Sequence, residues 1–169
     1  ALPVLGAIAP GTELSYWDYQ VRVDLGRVAE GRWTVWAFGS FDRLAQPRVA
    51  LQTEFHRLDL RYDRAVGRRA KLRVAFQLGR DGTLYSTLAT IWANLGGPRA
   101  ELEMEVGPSA RLLFGVDLLA NRFEIEPAAG TLTDQIRTLF PPRNALVAGA
   151  YAEGSARVWR GLEVRAGVR

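Results

Sequence analysis

Few residues in this chain have the types and spacing that chemistry needs. His56 is the only histidine, with Glu54 and Asp59 near it in sequence. A histidine beside carboxylates can serve as a general base, but a base needs a nucleophile to activate. The five serines sit in no nucleophile context such as a G-x-S-x-G elbow. His56 therefore reads as a structural residue at a strand irregularity. Glu101, Glu103 and Glu105 lie ~7 Å apart along one strand face, a spacing that could hold a hard cation. A solvated or arginine-paired face explains the same triplet without an ion. Gly79, Gly96 and Gly97 fall at expected turns and form no phosphate loop. There is no cysteine, which removes thiolate catalysis, zinc clusters and disulfide frameworks together. The expectation is a protein with no catalytic site, no metal and no cofactor.

Bulk properties narrow the class. A chain of 169 residues is most simply one domain, and 48% apolar with 24% charged residues excludes a disordered one. The net charge is +4 and the pI about 9.9, with Lys71 the only lysine. Arginine binds oxyanions through a planar fork, so an excess of it fits phosphate or carboxylate recognition; coding bias produces the same excess without a function. No run of like charges forms a basic tail, and nucleic acid is not expected as a partner. No apolar run approaches the ~20 residues of a membrane helix. Residues 1–13 read as an extended leader, and ALPVLGAIAP lacks the basic flank of a signal peptide. A start at Ala1 fits a processed secreted protein or a piece cut from something longer.

The elements are legible from period-2 alternation. In LDLRYDRAVGRRAKLRVAFQLG, Leu58, Leu60 and Tyr62 oppose Asp59, Arg61 and Asp63; Leu72, Val74, Phe76 and Leu78 oppose Lys71 and Arg73. The same rule runs through Trp17–Leu25 against Asp18, Arg22 and Asp24. It recurs in Leu102–Val106 against the glutamates, and in Leu112–Leu118 against Asp117. The phase slips between Phe55 and Leu58, which predicts a β-bulge at His56 and Arg57. Turn signals are read at Glu30-Gly31, Gln46-Pro47, Arg80-Asp81-Gly82, Gly96-Gly97-Pro98, Gly107-Pro108 and Glu153-Gly154. RFEIEP reads as a short separate strand. TLYSTLATIWANL fits either a buried strand or a short helix.

These units make an all-β antiparallel meander of about eight to ten strands over residues 14–169. It is expected to close, or nearly close, as a barrel, with one short helix near 134–140. Which face looks inward decides the environment. An apolar core inside means a soluble barrel or sandwich; an apolar face turned outward means lipid, with Asp18, Arg22, Asp24, Lys71, Arg73, Glu101, Glu103, Glu105 and Asp117 lining a lumen. Trp17, Trp33, Tyr62 and Trp92 near strand ends fit a membrane girdle.

The repeated strand–turn–strand units over roughly residues 14–169 resemble a small bacterial outer-membrane β-barrel, or a piece of a larger one of the lipopolysaccharide-assembly kind. The chain departs from that pattern in ending Gly167-Val168-Arg169, without the terminal aromatic such barrels carry. The resemblance implies a non-enzymatic structural, lipid-handling or transport-related role in the outer membrane, periplasm or cell surface. It implies membrane lipid, other envelope proteins or the remainder of a larger barrel as partners. The alternatives are a soluble secreted β-sandwich that binds a ligand or glycan, and a periplasmic lipid-carrying β-groove. Pro127–Asn144 is the one interval a meander does not need. Its Ile136, Arg137, Leu139, Phe140 and Arg143 read as a lid over one open end.

Overall fold

The computed structural model describes residues 11–28, 30–47, 49–85, 88–128 and 133–169, so most of the expected leader lies outside the described residues. Eight strands follow one another: β1 (Glu13–Val28), β2 (Gly31–Ala45), β3 (Ala50–Val66), β4 (Ala70–Tyr85), β5 (Ala89–Glu105), β6 (Ala110–Pro127), β7 (Arg143–Trp159) and β8 (Leu162–Val168). The helix α1 (Thr133–Leu139) stands between β6 and β7 and packs against β6. Each strand pairs antiparallel with the next in one sheet ordered β1 to β8. Among the described residues β1 and β8 do not pair with each other, so the sheet is an open wall. No helix among them is long and apolar enough to cross a membrane.

The alternating runs form strands because each puts its apolar set on one face and its charges on the other. The register then stacks those faces across the sheet. Leu60 lies opposite Phe76, Phe76 opposite Pro98, and Leu102 opposite Phe114. Among the described residues no second layer covers this apolar face. Phe76 is 43% exposed and Val116 55%, and Ala75 is the one apolar residue described as buried core. A sandwich would hide these side chains; this sheet presents them outward.

Four sequence expectations fail, and all fail the same way: the strands run straight through residues that look like punctuation. β4 continues through Asp81-Gly82, where Arg57 holds Asp81 at 2.5 Å and the Trp92 ring packs over Gly82. β5 continues through Gly96-Gly97-Pro98, although the β5–β6 ladder is interrupted beside Pro98, which has no N–H to donate. RFEIEP is the end of one long β6. The last hairpin turns at Arg160-Gly161, with Gly161 at φ 87°, and Glu153-Gly154 lies inside β7. The ambiguous segment near residue 90 is strand, as β5 begins at Ala89.

The expected bulge at His56 and Arg57 is absent. Pairing runs unbroken from Leu51↔Tyr85 to Val66↔Ala70, and the partner ladder to β2 is equally regular. What changes at that point is the chemistry of the two faces. Below it the formerly apolar face carries His56, Arg80, Asn94 and Arg122 in one row, while Phe55, Leu95, Leu119 and Phe123 enter the other face. The phase slip in β3 is thus one strand's view of a change that runs across the whole sheet.

At Gly97 a Cβ would overlap the Leu118 carbonyl, whereas Gly107 has open space around it. Gly97→Ala should therefore force backbone apart in the β5–β6 pair and cost about 1–3 kcal/mol. Gly107→Ala should change stability by no more than ~0.5 kcal/mol. Urea midpoints of the two variants in detergent micelles check the contrast.

Candidate functional site

The charged residues converge because alternate positions on paired strands share a face. Asp18, Arg22, Asp24, Lys71, Arg73, Glu101, Glu103, Glu105 and Asp117 all fall on the face opposite Leu60 and Phe76. A cavity of about 930 Å³ opens on this face toward the β1–β2, β3–β4, β5–β6 and β7–β8 turns. Its walls run from Arg22 on β1 to Arg165 on β8. One cavity can touch both ends of the sheet only if the sheet curls around it, so the charged face is the inner one.

Inside, the charges are knitted across strands. Arg73 on β4 donates to Asp63 on β3 at 2.7 Å and to Glu101 on β5 at 3.2 Å. Tyr151 on β7 donates to the other oxygen of Glu101 at 2.5 Å, reaching over β6. That reach is possible because Gly115 lies beneath the tyrosine ring, where any Cβ would collide with it. Arg61 adds a contact of 2.9 Å to Asp63, and Arg169 reaches Asp117 at 2.9 Å beside the Tyr151 ring. On β1 and β2, Asp24 accepts from Arg22 at 3.1 Å and from the Thr34 hydroxyl at 2.7 Å.

The three glutamates do not act as a set. Glu101 sits in the network above, and Glu103 faces Arg111 on β6 at 3.7 Å. Glu105 has no ion-pair partner among the described residues, and neither do Asp18 and Lys71. Sequence reasoning placed Asp63 on the charged face by alternation but missed Tyr151, Arg57 and Asp81 as members of it. Carrying the alternation through the expected bulge and turn would have placed the last two. Tyr151 needed the β6–β7 register, which sets it directly opposite Gly115.

His56 lies on the other face, away from the charges. It accepts or donates at 3.1 Å to the Tyr19 hydroxyl and lies beside Trp17, which stacks on Phe41. No serine among the described residues is in contact with His56. In the Pro127–Asn144 interval, Ile136 is half-buried, while Leu139 and Phe140 are exposed at 68% and 48%. Arg137 and Arg143 are not in ion pairs among the described residues.

No protein-family model matches the sequence, and no curated protein matches it. Solved structures do. The copper transporter OprC superposes with a TM-score of 0.64 at 13% identity, over 93% of this chain and 30% of its own. The siderophore receptor PiuA from Acinetobacter baumannii gives 0.59 at 8% identity, over 94% of this chain and 38% of its own. This chain has the fold of an outer-membrane β-barrel wall. It spans about a third of the length of these two structures, and identities this low establish fold alone.

Arg73 and Tyr151 meet only through Glu101, so their contributions should be coupled. Arg73→Leu and Tyr151→Phe should each destabilise by about 1 kcal/mol. Combined, they should fall short of additivity by at least ~0.5 kcal/mol, read from a double-mutant cycle on urea midpoints.

Proposed function

We propose that the chain is part of the wall of a bacterial outer-membrane β-barrel with a transport-related, non-catalytic role. One observation carries this reading: a one-layer sheet that exposes its apolar face outward and folds its charges around a cavity. That is the reverse of what a soluble sandwich or a lipid-carrying groove needs, since both keep the apolar face inside. On β5 and β6 the outer apolar stretches, Gly96–Met104 and Leu112–Ala120, are nine residues long, close to the ~9–11 that cross a bilayer when tilted. Trp17, Tyr19 and Trp92 stand at the His56 end of the apolar band, as an interfacial girdle does, while the packed pair Trp33 and Tyr62 lies in the row of Val74 and Ala100.

The strands are longer than a bilayer requires. Sixteen to eighteen residues in β3 to β6 span roughly 55 Å along the strand. The outer row of His56, Arg80, Asn94 and Arg122 belongs in water or among headgroups rather than in hydrocarbon. The wall accordingly extends beyond the membrane on that side. Among the described residues the outer edges of β1 and β8 are unpaired, which fits a remainder of a larger barrel as partner, in line with the share of OprC and PiuA that the chain covers. The exposed Leu139 and Phe140 make α1 a candidate flap at the same end.

The chain has no native cysteine, so single thiols can report on each face. In liposomes, a Phe76→Cys label should be quenched by brominated acyl chains, and a Glu103→Cys thiol should react with a water-soluble maleimide. Phe76→Arg should cost about 2–4 kcal/mol if that position is near the midplane. A chain that stays soluble without detergent, with both thiols equally open to water, would defeat the membrane reading. Deleting 133–142 should leave insertion intact and alter retention of lipid; no change in lipid retention makes α1 a plain connector.

A further inference from the structure

The inner cavity has an imbalance that its own ion pairs do not remove. Of the carboxylates lining it, Glu30, Asp63, Glu101, Glu103, Glu153 and Glu163 each have an arginine within ion-pair distance, and only Glu105 has none. Arg27, Arg32, Lys71 and Arg157 also line the cavity. None of these four is within ion-pair distance of a carboxylate among the described residues, although Asp63, Glu103 and Glu163 stand cross-strand from Arg32, Lys71 and Arg157 and are each engaged by another arginine. The four are exposed to the cavity rather than buried against protein.

Two of them are set against each other. Arg27 and Arg32 are direct cross-strand partners on β1 and β2, just past the register shift after Asp24. Like charges in that relation repel, and among the described residues no carboxylate lies within ion-pair distance of either. Each guanidinium presents a planar donor fork that matches carboxylate or phosphate oxygens. A curved, low-dielectric wall with unneutralised positive charge also concentrates anions from solution.

We propose that the cavity binds a small solute bearing two or more oxyanion groups, held between Arg27 and Arg32 and drawn in by Lys71 and Arg157. The inference rests on the charged face being the inner wall. Its failure is separable from failure of the membrane reading, because thiol labelling at Phe76 reports the latter without any solute.

The test uses the full chain in detergent micelles at low ionic strength, with calorimetric titration of citrate, pyrophosphate and spermine. Both anions should bind with sub-millimolar Kd, weakening with added salt, and spermine should not bind. Binding of one anion alone also supports the site and fixes its oxyanion as carboxylate or phosphate. R27Q/R32Q should weaken binding at least tenfold, and K71M a few-fold. R80Q, on the outer face, should leave it unchanged. E105Q removes the one unpaired acid and should strengthen binding several-fold, a gain that a loss of folding cannot imitate. If R27Q/R32Q does not fold, the opposite shifts of K71M and E105Q decide. No anion binding, or an equal loss in R80Q, overturns the proposal.

Discussion

Everything in this structure depends on the unbroken backbone ladder. A sheet one layer thick has no packed core to hold it, so the hydrogen bonds between neighbouring strands must carry that role. In an apolar surrounding they must also satisfy every N–H and C=O. The pairing obliges: from β2 to β4 the register never slips over some fifteen consecutive pairs on each side of β3. The places where it does falter are few. One lies beside Pro98, and others at Asp24/Arg27 and Arg157/Trp159 near the turns. The same constraint makes the free edges of β1 and β8 the least satisfied part of the wall, and an open strand edge is a template for further pairing.

Given the ladder, side-chain placement follows from parity. One face is apolar and outward, the other charged and inward, and the charged face can be stable only if its charges find one another. Glycine and aromatic residues make this possible. The Tyr151 ring over Gly115 on the inner face, like Trp92 over Gly82 on the outer one, fills space that a strand glycine leaves empty. Only the inner pair serves the charges, carrying the Tyr151 hydroxyl two strands across to Glu101. The inner network is therefore a product of register as much as of charge.

The alternation made the fold class readable: Leu72–Leu78 and Leu102–Met104 could hardly be anything but strands. The mistakes came from residues with two physical meanings. Asp-Gly, Gly-Gly-Pro and Glu-Gly read as turns because they tolerate turn geometry. At Gly82 and Gly97 the glycine is there for want of room, and at Asp81 the acid is there for Arg57. Such reasons are invisible until the partner strand is known. The shift at His56 was visible in the sequence, but a single strand cannot tell a bulge from a change of environment. Only the parallel change in β4, β5 and β6 separates the two. The inner charges were legible one by one, while the Tyr151–Glu101 bond joins residues fifty positions apart and left no local trace.

The choice of arginine over lysine gains a structural meaning here. Every ion pair among the described residues uses arginine, and the single lysine, Lys71, is in none. A compositional bias would supply the arginines but would not arrange them to bridge strands. Arg73 touches acids on both neighbouring strands at once, which a point-charged ammonium on a flexible stem does less well. Across a single-layer wall, such bridges run perpendicular to the strands, in the same direction as the backbone ladder. They reinforce it on the inner side, where water in the cavity would otherwise compete for the same donors and acceptors.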